Sequence, residues 1–189
     1  MHERRFSGRV ATLRDPERVA QLELERVVDL CLEAGEFASM VDVGTGSGLF
    51  SEAFAARGLA VAGVDVNPEM IEAAKSFVPE GDFRVGQAEV LPFTENAYDV
   101  VFMGTVFHEA DDQLLALEEA ARVARYMVAI LEWPYEEGAA GPPIKHRISP
   151  EQVRDYAAQT GLKMSQTVRL TSVVLYLLVS AQEMIPEND

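Results

Sequence analysis

A chain of 189 residues, 48% hydrophobic and 25% charged, has room for one α/β domain with a full core and little beyond it. A formal net charge of −15 disfavours a nucleic-acid partner, because such affinity comes largely from Lys and Arg neutralising phosphates. The single cysteine, Cys31, excludes an intrachain disulfide and a cysteine-rich metal cluster and suits a reducing cytoplasm. The opening "MHERRFSGRV" has no apolar core of a secretory leader. The longest apolar run, "SVVLYLLVSA", is half of the ~20 residues a membrane helix needs, and reads as a buried strand.

Taken in chain order, residues 1–14 are weakly tied down and either move or fold over a ligand. "RDPERVAQLELERVVDLCLEAG" predicts one helix, with Asp15 as N-cap, Pro16 at the first position and Gly35 at the stop. Ala20, Leu24, Val27, Val28 and Cys31 recur on it at helical spacing. "SMVDV" is a strand, and "GLFSEAFAARG" a helix with Leu49, Phe50, Ala53 and Phe54 on one face. "LAVAGVDV" is a strand, and "NPEMIEAAKSFV" a helix capped by Asn67. "DFRVGQ" and "AYDVVFMG" are strands, "DDQLLALEEAARVA" a helix capped by Asp111 or Asp112, and "YMVAILEW" a fifth strand. "PYEEGAAGPPIKHR" is a long loop, a feature that in compact domains is usually functional or mobile. "SPEQVRDYAAQTG" is a helix opened by a Ser149–Gln152 capping box. "KMSQTVRL" and "SVVLYLLVSAQ" are strands joined by a turn so short that they must be antiparallel neighbours. The alternation of strand and helix predicts right-handed βαβ units on a parallel sheet, helices on both faces. The whole chain, 1–189, reads as a single domain.

The first strand runs directly into "GTGSG". Ligands of open parallel sheets sit beyond the carboxyl ends of the strands, and glycines there let backbone approach a ligand closely. Asp65, ending the second strand, follows the glycines by ~20 residues, the spacing at which a carboxylate reaches ribose hydroxyls. Turn and acid together point to a nucleoside-containing ligand. A dinucleotide is disfavoured: its fingerprint is G-x-G-x-x-G/A, whereas here the third glycine, Gly48, comes one place early. Asp42, two residues before the first glycine, would repel a pyrophosphate and attract a ligand carrying ammonium and sulfonium. No Lys follows the turn, which excludes a nucleoside-triphosphate P-loop. S-adenosylmethionine combines ribose, adenine, ammonium and sulfonium.

"VDVGTGSG", "VAGVDVNPEMIEAAK" and "GQAEVLPFTENAYDVVFMGTVFHEA" together resemble the class I S-adenosylmethionine-dependent methyltransferases, within the small-molecule branch of ubiquinone/menaquinone-biosynthesis type. The resemblance covers residues 16–181. It implies a Rossmann-like seven-stranded sheet of order 3-2-1-4-5-7-6 with strand 7 antiparallel. It also implies S-adenosylmethionine as cofactor and S-adenosylhomocysteine as product. By that resemblance Asp42 holds the methionine amino group, directly or through water, and the backbone of Gly44, Thr45 and Gly46 passes beneath methionine and ribose. Asp65 accepts both ribose hydroxyls, Val66 and Met70 flank the adenine, and Gln87, Ala88 and Glu89 lie along its edge. Backbone at Met103 and Gly104 meets the methionine end. Two departures stand out. Gln87 replaces an acid common in the family, and "ARVARYMVAIL" lacks the usual Lys-Pro-Gly-Gly turn before strand five.

Methyl transfer from a sulfonium needs chiefly positioning and desolvation; a base matters only if the acceptor loses a proton. The candidate base is His108, with Glu109 beside it to orient it or to cap the next helix. A purely structural hydrogen-bonding histidine is the alternative. No ligand spacing supports a metal site. Trp133, Tyr135, His146 and Arg147 bracket the long loop, which is expected to form an acceptor wall or lid over 134–149. With no room for a recognition domain, the acceptor is expected to be a small molecule rather than a nucleic acid. The competing readings are a cofactor-binding sensor or partner subunit without turnover and, more weakly, a nicotinamide oxidoreductase.

Overall fold

The computed structural model describes residues 9–137 and 141–181. The first eight residues of the proposed N-terminal cover and the 138–140 tip of the long loop lie outside them. In chain order the elements are α1 (Val10–Leu13), α2 (Pro16–Leu22), α3 (Leu24–Glu33), β1 (Ser39–Val43), α4 (Leu49–Ala56), β2 (Ala60–Asp65) and α5 (Pro68–Phe77). They continue with β3 (Asp82–Val85), β4 (Tyr98–Gly104), α6 (Gln113–Val123), β5 (Ala124–Glu132), α7 (Pro150–Gln159), β6 (Leu162–Arg169) and β7 (Val174–Ser180).

The strands form one sheet of order β3-β2-β1-β4-β5-β7-β6. β1 to β5 run parallel, and β7 lies antiparallel between β5 and β6. Chain length explains the change of direction. Every parallel crossover carries a helix or a long connection, whereas β6 and β7 are separated only by residues 170–173, enough for a hairpin and nothing more.

Strand periodicity sorts the core into two layers. Val41, Val43, Val101 and Met103 face α6 and α7, packing with Ala116, Leu117, Ala120 and Val153. Met40, Val100, Phe102, Ala129 and Leu131 face α3 and α4, with Val27, Cys31, Phe50 and Phe54. Asp42 shares the parity of Met40, so its carboxylate points toward α4, at the strand end where the apolar layer stops. At the opposite end of the sheet, Asp99 Oδ2 accepts the amides of Ala38 and Ser39 at 2.8 and 3.1 Å, and its Oδ1 pairs with Arg125 at 2.7 Å. That pairing ties β1, β4 and β5 together away from the ligand edge.

The helix expected over 15–35 is two helices. Glu23 adopts a left-handed conformation (φ 49°) and ends α2, and α3 starts from it. Such a conformation costs a non-glycine residue roughly 1–2 kcal/mol. Here a tertiary contact accompanies it: the Glu23 carboxylate accepts the Thr171 amide at 2.6 Å from the β6–β7 hairpin. The bend lets α3 stay in the core while α2 crosses the ligand edge of the sheet. Asp15 caps α2, Asn67 caps α5, Asp112 caps α6, and the Ser149–Gln152 box caps α7 with both of its hydrogen bonds. Among the described residues, no helix is long and apolar enough to cross a membrane.

Candidate functional site

A cavity of about 620 Å³ opens at the carboxyl ends of β1, β2, β4 and β5, within the size range of small-ligand sites. Its floor is the glycine turn. Gly44 (φ +71°) lies so close to Val106 that a Cβ there would run into that side chain. Gly48 (φ +75°) places its Cα where a Cβ would sit 3.1 Å from the Ala74 backbone of α5. Both positions therefore require glycine, for conformation and for space.

The turn is closed on itself. The amides of Gly44 and Thr45 donate to Val64 O at 2.7 and 3.0 Å, Gly46 N donates to Asp65 Oδ2 at 2.8 Å, and Gly48 N donates to Thr45 O at 2.9 Å. Four of its donors are thus engaged inside the protein. Asp65 is held from both sides, since its Oδ1 accepts Asn67 N at 2.8 Å. A carboxylate has about four acceptor sites, so these amides leave capacity for a hydroxyl donor. Burial pushes Asp65 up, and the amides of Asn67, Gly46 and Val66 pull it back.

Asp42 is 2% exposed, and its Oδ2 accepts the hydroxyls of Thr45 (2.9 Å) and Ser51 (3.0 Å). Burial pushes its carboxyl up to about 7; the two hydroxyls oppose the shift and the Asp65 charge adds to it. Among the described residues neither Asp42 nor Asp65 forms an ion pair. A cation brought by a ligand would favour the ionised form of Asp42.

The other end of the cavity is built from β4, β5 and α2. His108, 3% exposed, sits in the short 3-10 turn Phe107–Glu109 after β4. Its Nδ1 faces both oxygens of Glu132 at 2.9 and 2.8 Å, and its backbone amide also donates to Glu132 Oε1 at 3.0 Å. Glu132 ends β5, is 1% exposed and accepts the Trp133 amide as well. The carboxylate fixes Nδ1 as the protonated nitrogen and leaves Nε2 toward the cavity, 3.9 Å from Glu109. Burial presses His108 down, but Glu132 and Glu109 outweigh burial and Arg147, and the imidazole is held above its ordinary value. Arg18, from α2, enters the same region with Nη2 3.5 Å from Thr105 Oγ1; burial lowers its guanidinium and Glu109 raises it.

Of the residues singled out from sequence, Asp42, Gly44, Thr45, Gly46, Asp65, Val66, Met70, Ala88, Glu89, Gly104, His108, Glu109 and Trp133 line this one cavity. Gln87, Met103, Tyr135, His146 and Arg147 do not line it. Met103 has the strand parity of the α6–α7 core layer, and Gln87 is exposed in a bridge with Val90. Glu89 also accepts the amides of Asp111 and Asp112, fastening the turn into α6. Arg147 is turned inward on its own loop, donating to the carbonyls of Pro142, Pro134 and Glu136 at 2.8, 2.8 and 2.9 Å. Tyr135 is half exposed. Sequence reasoning missed Glu132 and Arg18. Nothing local marks either one: the first is a strand-end acid, the second one of several arginines near the N-terminus. Among the described residues no group of three or more His, Cys, Asp or Glu is placed to hold a metal.

Comparison with known proteins agrees with this geometry. Residues 41–127 match the family model described as a methyltransferase domain. The chain is 34% identical over 86 residues to the methyltransferase Rv3342 of Mycobacterium tuberculosis, covering 46% of this chain and 35% of that one. It is 30% identical over 103 residues to the demethylmenaquinone methyltransferase of Thermotoga maritima, covering 53% and 44%. The matches thus span less than half the length of these curated relatives. The solved structure of an S-adenosylmethionine-dependent methyltransferase from Aquifex aeolicus superposes with a TM-score of 0.79 at 27% identity, covering 89% of this chain and 95% of that one. With the 3-2-1-4-5-7-6 sheet, the glycine turn and the acid-ended second strand, the chain is similar to S-adenosylmethionine-dependent methyltransferases in sequence over residues 41–127 and in fold over most of its length.

Proposed function

We propose that this chain, acting as a single domain, binds S-adenosylmethionine in the 620 Å³ cavity and transfers its methyl group to a small-molecule acceptor. One observation carries the choice of cofactor. The turn beneath the cavity has two carboxylates beside it that form no ion pair among the described residues, an environment that suits a cationic nucleoside and disfavours a pyrophosphate. Asp65 is the ribose acceptor, held ready by Gly46 N and Asn67 N. Asp42 supplies negative potential under the amino-acid end, through the Thr45 hydroxyl that lies between it and the turn. Val66 and Met70 flank the adenine.

The cofactor supplies a methyl group already activated on a sulfonium. The protein's task is then orientation, exclusion of water and, for a protic acceptor, removal of a proton. His108 Nε2 is the base, with Glu132 holding the ring by Nδ1 and stabilising the imidazolium that forms. Trp133 offers an apolar wall on the acceptor side, and the loop after β5, stapled by Arg147, is a fixed side of the pocket. A cytoplasmic setting suits a chain whose one cysteine is a buried free thiol.

Parallel calorimetric titrations with S-adenosylmethionine, S-adenosylhomocysteine and NAD test the cofactor. Micromolar binding of the first two and none of NAD is expected, and binding of NAD alone overturns the reading. Release of S-adenosylhomocysteine across a panel of small phenol, amine and carboxylate acceptors tests turnover. Tight cofactor binding with no release from any of them would favour a sensor or partner subunit.

A further inference from the structure

The acceptor side of the cavity is built around a base between two acids. His108 is 3% exposed, and among the described residues its Nε2 has no hydrogen-bond partner, with Glu109 Oε1 standing 3.9 Å away. On the other side of the ring, Nδ1 meets Glu132 at 2.8 Å. Burial and Arg147 press the imidazole down, and the two carboxylates outweigh them, so the ring is a stronger base than an ordinary histidine. The rest of the cavity has the same sign. Asp15, Glu17, Asp42, Asp65, Glu89 and Glu109 line it, against the guanidinium of Arg18. Trp133 lines it as well, and an indole attracts a cation through its ring quadrupole.

This setting discriminates among acceptors. A phenol that gives its proton to Nε2 becomes an anion beside Glu109, so the step separates charge in an acidic cavity. A carboxylate must approach the same acids and has no proton to lose, which leaves the buried His108–Glu132 pair without a part. An ammonium enters as a cation, and passing its proton to Nε2 only moves positive charge onto a ring flanked by Glu132 and Glu109. No new anion forms.

We propose that the acceptor is a small primary or secondary amine, bound as its ammonium beside Glu109 and Trp133 and deprotonated by His108 Nε2. The assignment rests on the methyl-transfer reading above. An N–H proton passes to Nε2 and its electron pair stays on nitrogen. That pair forms the new C–N bond as the C–S bond breaks, and the electrons of the C–S bond stay on sulfur. The products are the N-methylated ammonium and S-adenosylhomocysteine, and the proton on His108 leaves to solvent. Glu109 is then the specificity determinant for charge. It keeps that part while lying in the field of Arg18, because a carboxylate accepts from several donors at once.

The test is a calorimetric series on protein saturated with S-adenosylhomocysteine. Benzylamine, phenethylamine and cyclohexylmethylamine are each compared with the alcohol of the same skeleton, and phenol and benzoate represent the other acceptor classes. In at least one pair the amine is expected to bind about 10- to 100-fold tighter than its alcohol, the worth of hydrogen bonds to a charged group. With S-adenosylmethionine in place of the product, that amine should release S-adenosylhomocysteine and be recovered as its N-methyl derivative by mass spectrometry. Glu109→Gln should erase the advantage of the amine and leave the affinity of the alcohol as it was, and Glu109→Asp should recover part of the difference. A merely structural role for Glu109 would shift both members of a pair together. Thermal unfolding without ligand checks that the variants fold; the wild-type comparison needs no variant. No amine favoured over its alcohol, including no amine bound at all, overturns the proposal. So does a Glu109→Gln protein that keeps the full preference, or methylation of phenol or benzoate without methylation of any amine. Failure to bind S-adenosylhomocysteine refutes the cofactor reading and this assignment with it, and is seen before any acceptor is added.

Discussion

At the β1–β2 end of the cavity, Asp42 and Asp65 are held by hydroxyl and amide donors alone, whereas at the β4–β5 end Glu132 is held by a histidine and Glu109 lies in the field of Arg18. The first end has negative charge that the protein leaves uncompensated, and so is suited to a cation from outside. The second end brings its own ionisable partners, and so is suited to moving protons. The same residue type serves two purposes because the donors around it differ. Hydroxyls and amides cannot take or give up a charge near neutral pH, and an imidazole can.

The comparison is broken most severely at Glu132. Glu132→Ala leaves the His108 ring buried against an empty space, and loss of one member of a buried pair costs about 3–5 kcal/mol. Urea denaturation should show a loss of that size, while the folded fraction keeps its cofactor affinity; a loss under about 1 kcal/mol would mean that the pair is not buried as described. At the other end, Asp65→Ala should weaken S-adenosylmethionine binding by about 1–3 kcal/mol, the scale of hydrogen bonds to a charged group. Unchanged affinity in a calorimetric titration would misplace the ribose.

Titration sharpens the contrast. Asp42 is pushed up to about 7, above its ordinary 3.8, so the folded protein holds that proton more tightly than the unfolded chain. The stability it contributes is greatest below pH 3.8 and falls as pH rises through about 7. A cationic ligand prefers the ionised form, so S-adenosylmethionine affinity should climb about tenfold over the upper part of that interval. Asp42→Asn should flatten the climb, and a climb that persists in the variant assigns it elsewhere. His108 has the same sense in a higher window: its folded value is raised, so its contribution to stability is full below 6.5 and is lost as pH rises through the folded value. Turnover of a protic acceptor should rise on that same limb as Nε2 becomes free to accept a proton. Glu132→Gln removes the charge that raises the imidazole, so the limb should move to lower pH. A limb that stays in place would remove His108 from proton transfer.

The same division governs what could be read before the structure. The β1–β2 end is made by contiguous residues: "VDVGTGSG" contains Asp42, the strand end and the turn, and "VDVNP" contains Asp65 and the cap of α5. Periodicity and local turn chemistry were enough, and the parallel sheet with its closing hairpin followed from the same rules. The β4–β5 end is made by residues 24 positions apart in the His108–Glu132 pair and 87 apart in the Arg18–Thr105 contact. Such separations leave no local pattern. Glu23 was opaque for a related reason, because its left-handed bend involves neither glycine nor proline and meets its partner 148 residues away. The residues around the loop after β5 divide: Trp133 lines the cavity, whereas Tyr135 is half exposed and Arg147 donates to carbonyls of its own loop, a difference set by chain path rather than by residue type.

The short helix α1 and the residue that follows it close over the glycine turn from the solvent side. A methyl of Leu13 stands 2.8 Å from where a Gly46 Cβ would be. Arg14 donates to Ser47 Oγ (3.2 Å) and Ser47 O (2.9 Å), pairs with Glu52 at 2.7 Å, and stacks 3.3 Å from the centre of the Phe77 ring. A molecule seated on the turn would therefore lie beneath a cover made of one apolar contact and one arginine. Were that cover to open for ligand to pass, it would act on arrival and departure alike, and loosening it would quicken both without altering their ratio.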